Sequence, residues 1–268
     1  MGRKGHGRYG KHSRRDRRKK KGGIISTVIL IVAICVFAFS AFQLYKIFNG
    51  YHKGESEYDD LVKLAVTEDK GEQENGTDDQ DGSRFSVDFD ALRQINPDVV
   101  AWIRFDEPAV INYPVVQGSD NSEYLSKTFK GYDNTVGTIF VNAYNHADFN
   151  DRNTIIYGHY MYNGTMFNEL EQYHEKSFWE KYPSFYIYTP DGNVATYQIY
   201  SVGVVKDTSE GYTYQFADDA AFASFLEATK ASSLYDTGVE VGNDSQIVTL
   251  STCTREGMMT ERSYTVSG

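Results

Sequence analysis

Cys253 is the residue of this chain with the most direct chemical use. It ends an apolar, β-branched run, Ile247-Val-Thr-Leu-Ser-Thr-Cys253, and the sequence contains one other cysteine, Cys35. Cys35 lies within a long apolar segment, where cysteine behaves as a small hydrophobic residue, so the two thiols are not expected to pair. A thiolate is a strong nucleophile, and the end of a strand is a suitable place to present one. A buried, inert cysteine is the alternative.

A thiol nucleophile needs a base and a group that stabilises negative charge. His159 is the best base among the six histidines, because it follows the predicted strand Thr154–Gly158 and opens a Gly/Asn-containing loop. Arg262, nine residues after Cys253, carries a permanent charge that can stabilise a thiolate or an oxyanion. The alternatives are a structural histidine and an exposed salt bridge, and Arg255 is closer to Cys253 in sequence. The three residue types together indicate thiol-based acyl transfer.

Short strands dominate the part of the chain that must position these residues. Eight segments rich in Val, Ile, Tyr, Phe and Thr are bounded by Gly, Asp, Asn or Pro: Val99–Phe105, Ile111–Gln117, Gly137–Val141, Thr154–Gly158, Ser184–Tyr188, Ala195–Val205, Ile247–Cys253 and Ser263–Val266. A helix is predicted from Phe85 to Asn96. Further helical patches lie at Asn121–Lys127, Met166–Tyr173, Lys176–Lys181 and Ala217–Ala231. This pattern predicts a mainly β fold, a closed or nearly closed barrel of eight strands with short helices.

Charge is divided sharply along the chain. Residues 1–21 contain 11 Lys or Arg and one acid, whereas residues 22–268 contain 16 Lys or Arg and 36 Asp or Glu. The basic cluster precedes Ile24–Leu44, 21 uncharged residues that can span a bilayer, so it is typical of a membrane orientation signal rather than a nucleic-acid site. The positive-inside rule predicts a cytoplasmic tail and an extracellular domain. A cleaved signal peptide is the alternative, but no small-x-small site follows the apolar run.

These patterns divide the chain into four parts. Residues 1–23 are predicted to be a basic cytoplasmic tail, and residues 24–44 an uncleaved transmembrane signal-anchor. Residues 45–83 are predicted to be an acidic, flexible stalk, because Glu68–Ser83 has almost no apolar residue to offset its ordering entropy. A short amphipathic helix at Tyr58–Val66 is predicted within the stalk. Residues 84–268 form the folded domain.

The motifs of this domain occur together in a known family. Thr249-Leu-Ser-Thr-Cys253 followed by Arg262, with Tyr157-Gly-His159 upstream, resembles the sortases, membrane-anchored cysteine transpeptidases of Gram-positive bacteria. The similarity runs from about Phe85 to the end and is greatest to class B. It is carried by Asn96-Pro-Asp-Val-Val-Ala-Trp-Ile103, Tyr113-Pro-Val-Val-Gln-Gly118, Gly137-Thr-Ile-Phe140 and Asn153-Thr-Ile-Ile-Tyr-Gly-His159. Class B chains usually continue beyond the pattern Ser263-Tyr-Thr-Val266, so either a short final strand or a trimmed end is expected here, with Arg262 held less firmly than in the family.

The resemblance implies an eight-stranded sortase barrel with an N-terminal helical extension, and a helix at Ala217–Ala231 before the strand of the nucleophile. It implies that Cys253 attacks the Thr carbonyl of a C-terminal sorting motif and forms a thioester, which an amine resolves. His159 is then expected to transfer protons, and Arg262 to orient the substrate and stabilise the oxyanion. Four residues match positions that line the class B substrate groove: Ser251, Tyr157, Asn121 and Leu125.

The partners implied are secreted proteins with an NPxTx- or SPxTG-like motif, and an amine of a lipid-linked peptidoglycan precursor or a pilin. The membrane is reached through the single N-terminal helix, and no nucleic acid is expected. No cofactor motif or metal-ligand spacing occurs in the sequence, so neither is expected. Two other functions are possible from this sequence. One is a hydrolytic cysteine peptidase that uses the same residues, with water in place of the amine; the other is a membrane-tethered binding module with an inert cysteine.

Overall fold

The computed structural model describes residue 2 and residues 16–70, 83–106, 111–206, 208–253 and 262–267. Of residues 16–22, 69–70, 83–84, 253 and 262–267 it describes the backbone alone. The chain divides into two compact units, Met1–Asn49 and Gly50–Gly268. Helix α1, Asp16–Ala65, begins in the first unit and ends in the second. Its portion from Gly23 onward is long enough and apolar enough to cross a membrane.

The second unit is built on β-strands. Strands β1 (Val66–Lys70) and β2 (Ser83–Val87) pair as an antiparallel ribbon. The remaining strands are β3 (Val99–Arg104), β4 (Asn112–Val116), β5 (Ile139–Val141), β6 (Asn153–Tyr157), β7 (Ser184–Tyr188), β8 (Val194–Gln198), β9 (Ser201–Lys206), β10 (Ile247–Cys253) and β11 (Arg262–Ser267). Among the described residues they form one sheet in the order β8-β7-β3-β4-β5-β6-β10-β11-β9, and seven strands make a nearly closed barrel. The predicted mainly β barrel is confirmed.

All eight predicted strand segments are present, but the sheet has nine strands because one segment is divided. The predicted run Ala195–Val205 becomes β8 and β9, which lie at opposite ends of the strand order. The chain changes course at Ile199 and Tyr200, both buried. There the amide of Ile199 donates to the carbonyl of Pro183 at 2.8 Å, and Trp179 Nε1 donates to the carbonyl of Ile199 at 2.9 Å. These tertiary bonds override a local sequence that is rich in β-branched and aromatic residues and contains no proline.

The end of α1 differs from the stalk expected at residues 45–83. Residues 50–65 are helical, and Tyr58, Leu61 and Ala65 belong to the main apolar core. Apolar residues spaced three and four apart place one stripe of this helix against the barrel. The expected acidic part of the stalk, beyond Lys70, lies mainly outside the described residues.

Short helices connect the strands. Helix α2, Phe89–Ile95, is capped by Asp88, whose side chain accepts from the amide of Ala91 at 2.9 Å. The predicted helix began at Phe85, but residues 85–87 lie in β2, which pairs with β1. Helices α3 (Lys176–Trp179) and α4 (Asp219–Ala231) fall where helices were predicted.

Helix α4 connects β9 and β10 and buries Phe222, Phe225 and Leu226 in a second, smaller core with Tyr200 and Ile247. It is therefore fixed on the side of β10 away from Val248 and Leu250, which belong to the main core.

Candidate functional site

The parallel pairing of β6 and β10 brings two of the predicted residues to one edge of the sheet. The pairs run from Asn153 with Ile247 to Tyr157 with Ser251, and the amide of Gly158 donates to the carbonyl of Ser251 at 3.0 Å. Parallel strands end at the same edge of a sheet. His159 and Cys253 each lie two residues beyond the last pair, so their backbones reach this edge together.

The backbone of Arg262 lies at the same edge. Strand β11 is antiparallel to β10, with Ser263 opposite Cys253, and Arg262 directly precedes Ser263. Arg262 is in turn opposite Lys206 of β9. The side chains of Cys253 and Arg262, and all of the competing Arg255, lie outside the described residues.

His159 is held by a backbone carbonyl. Its Nε2 lies 2.6 Å from the carbonyl oxygen of Leu125, and because a carbonyl can only accept, Nε2 carries a proton. Nδ1 is thus the nitrogen whose protonation can change during a reaction. Gly137 supports the ring from the side, since a Cβ at this residue would lie 2.9 Å from His159 Cδ2. The imidazole is therefore fixed in orientation while one nitrogen remains available for proton transfer.

Two of the predicted groove residues share one neighbour, Tyr212. Its ring stacks on Tyr157 with centroids 6.5 Å apart, and its hydroxyl lies 2.8 Å from Ser251 Oγ. Burial, with smaller contributions from Tyr212 and Tyr214, raises the pKa of Tyr157 to about 12. Tyr157 is therefore neutral throughout the physiological range. The three side chains form a polar and aromatic surface at the end of β6 and two residues before the end of β10.

Asn121 and Leu125 belong to one segment that follows β4. The side chain of Asn121 bonds to the two residues that follow β5. Its Nδ2 donates to Asn142 Oδ1 at 3.0 Å, and its Oδ1 accepts from the amide of Ala143 at 2.8 Å. The amide of Asn142 in turn donates to Ile155 of β6 at 2.8 Å. The segment therefore begins with Asn121, which is linked to β6 through Asn142, and continues to Leu125, whose carbonyl oxygen binds His159. The side chain of Leu125 remains 44% exposed.

Tyr212 is a site residue that the sequence did not single out. It lies in the short 3₁₀ helix Glu210–Tyr212, which Ser209 caps by accepting from the amide of Gly211 at 3.2 Å. With 21 tyrosines in the chain, no local motif marks this one. The sequence offers one indication of its position: Tyr212 and Tyr214 alternate a few residues before helix α4, which predicts a surface segment carrying aromatic side chains.

No group of three or more His, Cys, Asp or Glu suited to a metal ion occurs among the residues that the structure describes. The contacts at the strand ends, namely a fixed imidazole and hydroxyl-bearing side chains beside the backbone of Cys253, are consistent in residue type with thiol-based acyl transfer.

Comparison with known proteins identifies the same chemistry. The profile of the sortase domain matches residues 106–267. Sortase B of Listeria monocytogenes is 30% identical over 231 residues, which cover 85% of this chain and 89% of the relative. Sortase B of Staphylococcus aureus is 35% identical over 167 residues, which cover 62% and 67%.

Solved structures agree with the sequence relatives. Sortase B of Bacillus anthracis in complex with AAEK1 superposes with a TM-score of 0.69 at 30% identity, covering 82% of this chain and 98% of that one. The S. aureus sortase B–substrate complex superposes with a TM-score of 0.62 at 32% identity, covering 67% and 82%.

The mainly β barrel with this site thus defines a cysteine transpeptidase. The chain belongs to the sortase family, and within it is similar to the class B enzymes. The predicted function is confirmed at the level of a cysteine transpeptidase that anchors surface proteins carrying a sorting motif.

Proposed function

We propose that Cys253, His159 and Arg262 carry out the transpeptidation. Cys253 Sγ, as the thiolate, attacks the Thr carbonyl carbon of the sorting motif, and a tetrahedral intermediate forms. The amide C–N bond then breaks, His159 gives a proton to the leaving amine, and a thioester joins substrate and enzyme. Arg262 stabilises the oxyanion of the tetrahedral intermediate both when the thioester forms and when the amine resolves it.

The second half of the reaction reverses these roles. An incoming primary amine loses its proton to His159 and attacks the thioester carbonyl. The C–S bond breaks, the thiolate of Cys253 is regenerated, and a new amide bond joins the anchored protein to the acceptor. His159 begins and ends the cycle in the same protonation state, so the proton given to the leaving amine is replaced by the one taken from the incoming amine.

The observation that carries this assignment is the parallel register of β6 and β10, with Tyr157 opposite Ser251. It supports a shared site for a base after β6 and a nucleophile at the end of β10. The bond from His159 to the Leu125 carbonyl supports an oriented imidazole with Nδ1 available. The antiparallel pair of Cys253 with Ser263 supports Arg262 as the adjacent cation.

The sorting motif is proposed to bind along the surface formed by the four matched residues together with Tyr212: Ser251, Tyr157, Asn121 and Leu125. Hydroxyl and amide groups there can pair with an extended peptide backbone, and the aromatic rings provide apolar contact. A motif of the NPxTx or SPxTG type is the proposed substrate.

The acceptor is proposed to be an amine of a lipid-linked peptidoglycan precursor or of a pilin. The N-terminal helix supports a membrane anchor in the type II orientation, because the basic residues lie before it and the acidic domain after it. This orientation puts the enzyme on the outer face, where both the secreted protein and a lipid-linked acceptor are available.

The test uses the full chain in detergent micelles with fluorogenic NPxTx and SPxTG peptides, with and without a primary amine. We expect cleavage after Thr and an amine adduct, both identified by mass spectrometry. Cys253→Ala is expected to reduce the rate to less than about a thousandth, because no other group can form the thioester. Retained adduct formation in this variant contradicts the mechanism, and hydrolysis without any adduct identifies a peptidase.

The control for the base compares two histidines. His159→Ala is expected to lose activity nearly as fully as Cys253→Ala. His146→Ala changes a histidine whose Nδ1 bonds to Asp151 Oδ1 at 2.7 Å and which is exposed, so its activity is expected to stay within about two-fold. Equal losses in the two variants would remove the assignment of His159.

A further inference from the structure

One face of helix α1 is attached to the segment that leads into β5. We call this the docking face; it consists of Gly50, Gly54, Glu57, Tyr58 and Leu61. The amide of Lys130 donates to the Glu57 carboxylate at 2.9 Å, and Asn134 Nδ2 donates to the carbonyl of Gly50 at 3.0 Å. The docking face therefore bonds to residues 130–138 at more than one point.

Gly54 allows the helix to approach this segment closely. A Cβ at Gly54 would lie 2.8 Å from Val136 Cγ2, which is shorter than carbon atoms normally approach. Val136 is itself buried at 1% exposure. The helix backbone thus packs directly on the residue before Gly137, whose backbone contacts the His159 ring.

Tyr58 makes the deepest contact of the docking face. Its hydroxyl donates to the carbonyl of Gly137, 2.5 Å away, and lies 3.1 Å from Thr138 Oγ1. Its ring is buried and meets Tyr113 edge-on at 5.4 Å. Burial raises the pKa of Tyr58, so the hydroxyl keeps its proton and remains a donor.

The bonds continue from Thr138 to both sides of Leu125. The amide of Thr138 donates to the carbonyl of Tyr124 at 3.0 Å, and Thr138 Oγ1 donates to the carbonyl of Lys127 at 2.8 Å. Leu125 lies between these two acceptors, and its own carbonyl accepts from His159 Nε2 at 2.6 Å. Gly137, held by Tyr58, also contacts the imidazole from the side.

We propose that Tyr58 is a positioning residue for His159. Tyr58 fixes the backbone of residues 137–138, which fixes the Leu125 carbonyl and thereby the orientation of the imidazole. Tyr58 touches neither substrate nor reacting atom. The inference rests on the proposed function in treating His159 as the proton-transfer group.

The test compares two buried tyrosines in the full chain. Tyr58→Phe removes the hydroxyl and keeps the ring; kcat is expected to fall about ten-fold at unchanged KM for the sorting peptide, because a displaced base slows proton transfer while the groove is intact. The matched control is Tyr173→Phe, which removes a buried hydroxyl that donates to the carbonyl of Tyr182 at 2.9 Å, away from this segment. It is expected to have a similar melting temperature to Tyr58→Phe and the wild-type kcat.

A second variant covers the case in which Tyr58→Phe does not fold. Thr138→Val keeps the shape of the side chain and removes its bond to Lys127, so the same loss of kcat at unchanged KM is expected. Equal kcat values for Tyr58→Phe, Tyr173→Phe and wild type overturn the proposal.

A spectroscopic readout separates this proposal from the mechanism itself. In protein labelled at histidine, the His159 imidazole signals are assigned by their loss in His159→Gln and titrated by NMR. Tyr58→Phe is expected to shift these signals, because the ring changes its orientation, and Tyr173→Phe to leave them unchanged. This result stands even if the wild-type chain forms no adduct. Unchanged His159 signals in Tyr58→Phe also overturn the proposal.

Discussion

Gly137 contributes to the site by having no side chain. Its φ is +63°, and a Cβ would lie 2.8 Å from the carbonyl oxygen of Tyr124, 3.0 Å from that of Leu125 and 2.9 Å from His159 Cδ2. Two of these neighbours are backbone atoms, which cannot move away independently. The position therefore requires glycine for its backbone angle and for the space that the imidazole and the Leu125 carbonyl occupy.

Gly137→Ala is expected to lower kcat at least about ten-fold, because the added methyl displaces His159 from the Leu125 carbonyl. Gly131→Ala is the matched control: Gly131 has a φ of +81° and nothing within 4 Å of an added Cβ. Both variants lose about 1–2 kcal/mol of stability to the backbone angle. Steady-state kinetics and thermal unfolding measure the two effects, and an equal kcat in both variants contradicts this account.

Prediction from sequence at this scale was limited to residues that carry a recognisable motif. Cys253, His159 and Arg262 are marked by residue type and by position after predicted strands, and their backbones do reach one edge. Leu125 was predicted from resemblance alone, and its bond to His159 uses the backbone carbonyl, which no side-chain pattern specifies. Tyr58 and Tyr212 act through tertiary contacts with distant residues, which local sequence does not specify: it predicts only a helix at Tyr58 and an aromatic surface segment at Tyr212.

Elements were predictable where local pattern and tertiary packing agree. Helix α4 was predicted at Ala217–Ala231; it begins beside its cap Asp218, whose side chain accepts from the amide of Ala221 at 2.8 Å, and it buries Phe222, Phe225 and Leu226. The division of Ala195–Val205 was missed because its cause is bonds to Pro183 and Trp179, which are distant in sequence. A short amphipathic helix was predicted at Tyr58–Val66, where α1 is helical to Ala65, but its packing against the barrel was not predicted.

The stability of the barrel is expected to depend on the end of α1. A chain that begins at residue 84 loses the buried Tyr58, Leu61 and Ala65, at a cost of about 4 kcal/mol and a fall in melting temperature of roughly 10 °C. A chain that begins at residue 50 loses only a part whose described side chains up to Phe48 are exposed, and is expected to keep the full-length melting temperature. Calorimetry of both chains measures this, and equal melting temperatures contradict it.

At the scale of the whole molecule, charge and hydropathy predict its orientation at the membrane. With an N-terminal epitope tag, external trypsin applied to intact protoplasts is expected to remove the domain and leave a tagged fragment of the tail and apolar helix. Residues 1–21 hold 11 potential trypsin sites, so survival of this fragment reports a cytoplasmic location. Immunoblotting measures it, with permeabilised cells as the control in which the tag is lost. Loss of the tag in intact protoplasts contradicts the type II orientation.

The parallel pairing of β6 with β10 also has a consequence for the order in which parts of the chain fold. The pairing of residues 153–157 with residues 247–251 cannot form until the latter have been synthesised. The pairing of β9 with β11 likewise joins residues distant in sequence. Such pairings form late, because the loop-closure entropy must be met before the contacts form. Because a chain is synthesised from its N-terminus, His159 is made long before Cys253 has a strand to join. Until residues 247–253 have joined the sheet, the proposed nucleophile has no strand to hold it beside His159, so the incompletely folded chain is expected to be inactive.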